Sequence, residues 1–576
     1  MVAVVALVSA RTDGQTTASS PRDAGLITLS IVGTNDLHGG VLPVGERGGL
    51  AVLASYVNNL RAARARDGGA VLLIDAGDMW QGTLESNLTE GASVVAAYNA
   101  LGYTAAAIGN HEFDFGPLGP AATPQAPTDD PRGALKARAA EATFPLLAAN
   151  LIDSATGNPV DWRNVKPSIL VQPAGVKVGI IGVMTASALT ATHASNTRGL
   201  TVAPLVGTIA AQARKLRAEG AVAIIVTAHA GGRCTQFQEP SDLSSCDPSS
   251  EIMNVARGLP RDLVDVIIAG HVHAAMAHEV AGIAITSAFT GGRAFGRVDL
   301  AVDRNTGRVA GRRMFPPRDL CAREDSRTRT CDPAIATGQP LTVSRYEGAP
   351  VTPDARISQV LAPAVQRAAE VKAAPLGMYL ETPIRRVGAD SPLGNLVTDA
   401  LRESVAGAHV ALNNTNGGLR ADLPRGALTY GSVYEMIPFD NLVVQLNLSG
   451  GELRRVIASQ LQGRERLIGI SGIRVRAQCS GNALVVSLLH ASGTPIRDDE
   501  RLLVVTTDFL ATGGGALLTP VIPAQGFMIP DSAPLVREVV AERLRRRGGV
   551  LREDQLVDPD NPRWVYSGTL PINCAG

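Results

Sequence analysis

The chain has 576 residues, 45% hydrophobic and 18% charged, so it is a globular protein long enough for at least two hydrophobic cores and not a disordered one. Its 53 basic and 53 acidic side chains cancel to a net charge of +0. That balance excludes a protein whose overall field coats a nucleic acid polymer or an anionic membrane, so any anionic ligand must be attracted locally.

The chain opens with a short apolar run, MVAVVALVSA, followed by a Ser/Thr-rich polar stretch. The run is too short to span a bilayer and reads as the apolar core and small-residue end of an export signal, with Ala10 as candidate cleavage point. Residues 1–25 are therefore expected to be a signal-like, disordered N-terminus. No later run is long enough for a membrane span, and the tail PINCAG reads as free of an anchor signal. The six cysteines fall as two close pairs, Cys234 with Cys246 and Cys321 with Cys331, plus the distant Cys479 and Cys574. Many pairings are open to them, but two short loops invite local closure and leave the third pair to tie down the C-terminal tail. None is spaced as C-x-x-C, so a zinc or redox motif is disfavoured. Disulfides imply an extracytoplasmic location: periplasmic, cell-surface or secreted.

From Leu26 to about Val302, strand-like and helix-like stretches alternate, which argues α/β layers. The strand-like runs LITLSIVGTN, AVLLIDAGD, AAAIGN, FPLLAAN, AVAIIVTAH and LVDVIIAGH are apolar throughout, as strands buried on both faces must be. Between them, GLAVLASYVNNLRAARARDG and VAPLVGTIAAQARKLRAEG carry apolar residues at helical spacing. ILVQPAGVKVGIIGVM reads as a hairpin turning at Ala174-Gly175. The polar, Arg-rich and Pro-punctuated segment from Pro316 to Pro350 reads as an excursion or linker. A helix follows, with Ile357, Val360, Leu361 and Val365 on one stripe, and beyond about Leu380 a second α/β region runs to the end.

The polar residues sit in a telling place. Five strand-like runs close on Asp, Asn or His: Asp36 and His38, then Asp78, then Asn110 and His111, then His229, then His271 and His273. In α/β sheets the carboxyl ends of strands converge on one crevice, where ligands bind. Carboxylate, amide and imidazole donors without thiolate suit divalent ions such as Mn, Fe, Zn, Co or Mg. Two such ions about 3.5–4 Å apart can share a carboxylate, hold a hydroxide and clamp a phosphoryl group. Any one of these motifs alone would more often be a turn or a helix cap. Five together, each closing an apolar strand, read as a metal site, because burying so many imidazoles and carboxylates without a cation is costly.

The blocks TNDLHG, GDMWQGT, GNHEFDFG, AHAGG and GHVH, with PFDN in the second half, make the chain resemble the two-domain 5′-nucleotidase family of the calcineurin-like metallophosphoesterases. That resemblance implies an N-terminal four-layer αββα metallophosphoesterase domain over 26–345, a linker helix over 346–376, and a C-terminal α/β substrate-binding domain over 377–576. It implies that Asp36, His38 and His273 hold one metal, that Asn110, His229 and His271 hold the other, and that Asp78 bridges them. His111 takes the place of the family's catalytic histidine, oriented by Asp114. A metal-bridging hydroxide would attack phosphorus in line, without a covalent phosphoenzyme or a P-loop.

In the second half the resemblance implies that Arg420 binds phosphate after the pair ending in Gly418. The family's asparagine falls on either Asn414 or Asn416, and a second phosphate arginine on either Arg385 or Arg386. Phe439 and Phe509 match the two walls of a base clamp, with Asn441 beside the first. The family usually reads G-G-D after the second Phe, whereas this chain has Gly513, Gly514 and Gly515. Losing that carboxylate weakens the case for nucleoside specificity but not for phosphoester chemistry. The expected activity is hydrolysis of nucleotide phosphate esters, extending to cyclic nucleotides or nucleotide sugars. The alternatives are the same cage acting on a non-nucleotide, thiosulfohydrolase-like substrate, or a non-catalytic phosphate-ester binding protein.

Overall fold

In the computed structural model, which describes residues 25–387, 390–463, 467–523, 527 and 533–574, the apolar run Leu26–Thr34 forms an interior strand of a seven-stranded sheet. Residues 1–24, with the Ala10 cleavage point, and the side chain of Asn416 lie outside that description. Leu26–Thr34 pairs in parallel with Ala70–Asp75, and parallel pairing continues through Ala105–Ala107, Leu146–Leu147 and Val165–Lys166. A second, six-stranded sheet is built on the parallel strands Val178–Met184, Ala223–His229, Val266–Ala269 and Ile283–Ala288. Ser168–Val171 joins its edge through an antiparallel hairpin that turns through Ala174 and Gly175 at φ 48° and 82°, as the sequence predicts.

The sheets pack face to face. Ile27, Leu29, Ile31 and Ile74 from one meet Val178, Ile180, Ile225 and Ile268 from the other in a single apolar cluster. This is why both sets of strands read as unbroken apolar runs. The outer faces are covered by helices: Leu50–Asp67, Ala92–Leu101 and Gly133–Glu141 on the first sheet, Leu205–Ala218 and Glu251–Gly258 on the second. The result is the four-layer αββα arrangement.

Two departures from the sequence reading concern the end of this half. The strict strand–helix alternation stops at Ala275, where Ala275–Val280, Ile283–Ala288, Ala294–Asp303 and Val309–Asp319 follow one another without a helix. The segment from Pro316 is also no loose linker. Its first residues complete the edge strand Val309–Asp319, Arg47 pairs with Asp319 and Asp332, and Tyr346 packs on Tyr56 and Phe295. Its polarity reflects an edge position, where only one face of the chain is covered.

The helix Ala355–Lys372 is capped by the Asp354 carboxylate and lays Ile357, Leu361 and Val365 against the first half. Farther along, Ala368 meets Leu84 and Tyr434, so the helix touches both halves at once. The C-terminal half centres on a four-stranded sheet ordered Val443–Ser449, Arg501–Thr507, Val410–Asn413, Gly469–Ser471. Helices Gly450–Gly463 and Pro392–Ser404 pack into the two cores that flank it.

The six cysteines pair as the spacing suggests: Cys234–Cys246, Cys321–Cys331 and Cys479–Cys574. The last closes a loop of 95 residues, the first a loop of 12. Loop-closure entropy gives about 4–5 kcal/mol for the long loop and about 3 for the short one. Replacing both Cys479 and Cys574 by Ser should therefore cost more unfolding free energy, measured in guanidinium by circular dichroism, than replacing Cys234 and Cys246. Equal losses from the two double variants would count against the entropic account.

Candidate metal centre and substrate cavity

Five parallel strands, three from one sheet and two from the other, end at the same edge of the sandwich. The last residues of these strands and the loops that leave them carry Asp36 and His38, Asp78, Asn110 and His111, His229, and His271 and His273. Each chain must turn sharply as its strand stops. Asp36, His38, Asp78, His271 and His273 all adopt left-handed backbone conformations, with φ between 49° and 75°. Such conformations cost a non-glycine residue of order 1–3 kcal/mol each and persist only where the surroundings enforce them. Backbone hydrogen bonds do so here, from Asp36 N to Gly77 O and from His38 N to Asp78 O, both 2.9 Å. His271 N donates to both oxygens of Asp36 at 2.9 and 3.1 Å, which ties the second sheet's loop to the first.

The donor atoms converge. Carboxylate oxygens and imidazole nitrogens of Asp36, His38, Asp78 and His273 lie within 4.8 Å of one another, and so do those of Asp78, His229 and His271. Asp78 belongs to both groups. The Asn110 Oδ1 stands 2.9 Å from His229 Nε2 and 3.1 Å from His271 Nδ1, which places the amide in the second group. All seven residues predicted as ligands are thus brought together.

Proton positions show what such a cluster fits. His38 Nδ1 donates to Gln81 O at 3.0 Å and His229 Nδ1 to Ala76 O at 2.9 Å, so each ring in its neutral form turns a bare Nε2 lone pair inward; with no cation beside it, burial draws the His229 proton off but the Asp78 charge prevails and raises it to about 9. His38 Nε2 then faces His273 Nε2 at 2.9 Å, and His229 Nε2 faces Asp78 Oδ2 at 3.2 Å as well as the Asn110 oxygen. Acceptors aimed at acceptors repel unless a cation lies between them, and backbone carbonyls fixing the far nitrogen are the usual support of ligating histidines. Burial foremost, with nearby imidazoles, lowers His38 to about 3, and His271 and His273 to about 4, so these rings are in the neutral, metal-binding form. Burial pushes Asp36 up to about 7, a cost that an adjacent cation removes. The residues present fit divalent metal ions.

Sequence reasoning missed the groups that hold this cage. Glu112 is buried, and its carboxylate accepts from Gly109 N, Asp78 N and Met79 N at 2.7, 2.9 and 2.7 Å, pinning two ligand loops together. It stands inside GNHEFDFG, so the motif contained it, but nothing marked it as inward-facing. Asn35 binds Asp36 Oδ2 at 2.6 Å and Phe289 O at 2.6 Å. Gly109 is required by close approach, since a Cβ there would lie 2.3 Å from Asp78 Oδ1.

His111 borders the cage, and its Nδ1 lies 2.5 Å from Asp114 Oδ2. Burial lowers its affinity for a proton, but the charges of Asp114 and Asp78 outweigh that and raise it to about 10. Thr192 Oγ1 donates to the other Asp114 oxygen at 2.6 Å.

A cavity of about 340 Å³ opens beside these groups and is walled by both halves of the chain. Asp78, Asn110, His111, Asp114, His271 and His273 line one end, while Asn414, Gly418, Arg420, Phe439, Asn441 and Phe509 line the other. The Arg420 guanidinium lies 5.0 Å from the Phe439 ring centroid. Arg385 and Arg386 are not among the lining residues. Arg385 pairs with Glu553 at 3.2 Å, and Arg386 binds Leu419 O at 3.0 Å beside Asp422. Thr192, His193 and Asp508 line the cavity although the sequence reading gave them no role, as does Asp440, which stands inside PFDN.

Comparison with known proteins agrees with this architecture. Residues 29–275 match the family model "Calcineurin-like phosphoesterase" and residues 369–521 match "5′-nucleotidase, C-terminal domain". The endonuclease YhcR of Bacillus subtilis is 26% identical over 86% of this chain, which spans 38% of YhcR's own length. A 5′-nucleotidase of Vibrio cholerae is 24% identical over 84% of this chain and 85% of its own. The crystal structure of a 5′-nucleotidase precursor from Thermus thermophilus, 24% identical, superposes with a TM-score of 0.63 over 91% of this chain and 97% of its own, and shares the fold. The chain belongs to the two-domain 5′-nucleotidase family of the calcineurin-like metallophosphoesterases.

Proposed function

We propose that the protein is an exported phosphoesterase that hydrolyses nucleotide phosphate esters with two divalent metal ions. The observation that carries this reading is the cavity itself. Converging carboxylate, amide and imidazole donors stand at one end, and Arg420, without an ion-pair partner among the described residues, stands with two phenylalanines at the other. A cavity of about 340 Å³ suits a mononucleotide-sized ligand, and the balanced charge offers no track for a polymer. The three disulfides support an oxidising, extracytoplasmic location.

Asp36, His38 and His273 would hold one ion, Asn110, His229 and His271 the other, with Asp78 common to both. When bound, such ions supply Lewis-acid polarisation of the phosphoryl group and acidify water. The remaining work belongs to the chain. Asp114 fixes the His111 ring so that its Nδ1 proton points at the carboxylate and its Nε2 is left for the cavity. A protonated His111 can donate to a phosphoryl oxygen or to the departing oxygen, where charge accumulates. Arg420 can grip non-bridging phosphate oxygens in bidentate fashion. Phe439 and Phe509 offer apolar faces to a base, and Asn414 and Asn441 offer amides beside them.

Purified protein should release phosphate from AMP only with a divalent ion such as Mn or Zn present, lose turnover to a chelator, and lose at least about 10³-fold in kcat when Asp78 is changed to Ala. Full activity in chelator, or wild-type rates from Asp78→Ala, would overturn the reading. A substrate panel with a cyclic nucleotide, a nucleotide sugar and a sulfonated thiol separates it from the thiosulfohydrolase alternative.

Gly515 tests the base-reading end. It has φ 62°, which Asp tolerates better than most residues, and among the described residues the atoms nearest a Cβ would be Phe509 Cε1 at 3.8 Å and Leu510 Cδ2 at 4.0 Å. Gly515→Asp should lower KM for AMP by roughly three- to tenfold and leave KM for an aryl phosphate unchanged. Equal shifts for both substrates would show that the carboxylate does not reach the ribose.

The His111–Asp114 pair has a pH signature in metal-stripped protein. His111 binds its proton more tightly folded, at about 10, than unfolded, at 6.5. Its contribution to stability is therefore complete below about pH 6.5 and fades as pH rises through about 10. Asp114→Asn should cost about 1–3 kcal/mol at pH 6 and much less above pH 10, read from denaturant midpoints. A pH-independent cost would show that the pair is not charged.

A further inference from the structure

Three consecutive residues of one loop reach three different partners. Ala191 O accepts from Asn110 Nδ2 at 3.1 Å, Thr192 Oγ1 donates to Asp114 at 2.6 Å, and His193 Nδ1 crosses to the other half, 3.1 Å from Asp508 Oδ2. Asp508 is equally well connected on its own side. Its Oδ1 accepts from Phe509 N at 2.8 Å and Leu442 N at 3.0 Å, and its own N–H donates to Leu442 O at 3.0 Å. It thereby fixes both Phe509 and the segment that carries Phe439 and Asn441. A path of hydrogen bonds, joined by the backbone between Thr192 and His193, thus runs from His111 through Asp114, Thr192, His193 and Asp508 to the aromatic end of the cavity.

We infer that His193 and Asp508 are positioning residues that set the catalytic histidine and the Phe509 wall at a fixed separation, so that gripping the ring of a substrate also aligns its phosphoryl group with His111. The inference rests on the phosphoester reading above. Both side chains are nearly buried, at 6% and 12% exposure. A buried ion pair pays a desolvation cost that makes it weak as simple glue, whereas its directionality suits the fixing of a geometry. Among the described residues the halves also meet here through Gln81 Nε2 to Pro438 O at 3.3 Å and through Asn87 Nδ2 to Tyr434 OH at 2.7 Å and Asp440 at 3.5 Å, but none of these pairs two titratable side chains. Burial draws the His193 proton off, but the bond to Asp508 and its charge prevail and raise it to about 9, consistent with a charged contact at neutral pH.

The test compares AMP with glycerol phosphate, which has no ring to grip, in wild type, His193→Ala, His193→Asn and Asp508→Asn. Asparagine at 193 keeps a donor near the place of Nδ1, so it controls for loss of the side chain. His193→Ala should raise KM and lower kcat for AMP, a combined loss of about 10- to 100-fold in kcat/KM. For glycerol phosphate only kcat should fall, and His193→Asn should restore most of both. Asp508→Asn combined with His193→Ala should do little more harm than either alone. AMP kinetics within twofold of wild type in a folded His193→Ala, additive losses in the double variant, or identical KM changes for both substrates would overturn the inference. If wild type turns over neither ester, it is the functional reading that fails. The pair is then judged by small-angle scattering of the metal-loaded protein, where an expanded His193→Ala supports the tie and an unchanged radius of gyration refutes it.

Discussion

Everything at this site follows from placing lone pairs against lone pairs inside a protein. Four imidazole nitrogens, two carboxylates and an amide oxygen face one another at 2.9–3.9 Å, most of them out of contact with water. Left alone, such a cluster repels itself and loses hydration as well, and burial already drives Asp36 toward protonation. Positive charge at the centre turns the same geometry from a liability into a binding site. The architecture can be understood as what is needed to hold those donors in place before the charge arrives.

The holding is done by the backbone more than by side-chain packing. Five of the seven donor residues sit at left-handed φ values, and the strain is spread over loops bonded to one another beyond the ends of their strands. Glu112 spends its carboxylate on three backbone N–H groups and none on the cavity, and Asn35 bridges Asp36 to the opposite sheet's loops. Two apolar sheets pressed together make this possible, because they bring strand ends from both sheets to one rim with little freedom to drift.

The donors were legible in the sequence for a simple reason. A strand buried on both faces is an apolar run, so the polar residue that ends it stands out, and Asp36, Asp78, Asn110, His229 and His271 each mark such an end. The α/β layering and the disulfide pattern were legible for similarly local reasons. What could not be read were groups defined by their partners. Glu112 and Asp508 look like any acidic residue until the N–H groups they accept from are known. His193 lies in a loop with no periodicity. The Arg385 and Arg386 alternatives both matched a motif by position, yet one side chain turns to Glu553 and the other to Leu419 O. The antiparallel strands from Ala275 to Asp319 broke the alternation because hairpin neighbours need no helix between them.

The two ends of the cavity are therefore constrained very differently, and this bears on how substrate choice can change while the chemistry stays. At the metal end the donors are held together by strained backbone at five positions, by backbone hydrogen bonds and by neighbouring carboxylates, so one substitution disturbs several of them together. At the reading end, side chains project from loops of the second half. Among the described residues Arg420 is the one arginine lining the cavity, and a Cβ at Gly515 would come no nearer than 3.8 Å to its neighbours, whereas one at Gly514 would collide with Phe509. Altering such a loop changes one contact at a time and leaves the cage untouched. The loop running from Ala191 to His193 is the exception, since it touches a proposed ligand, the orienter of the proposed catalytic histidine and the reading half within three residues. Change there cannot be confined to one end, which makes it the place where recognition and catalysis constrain each other.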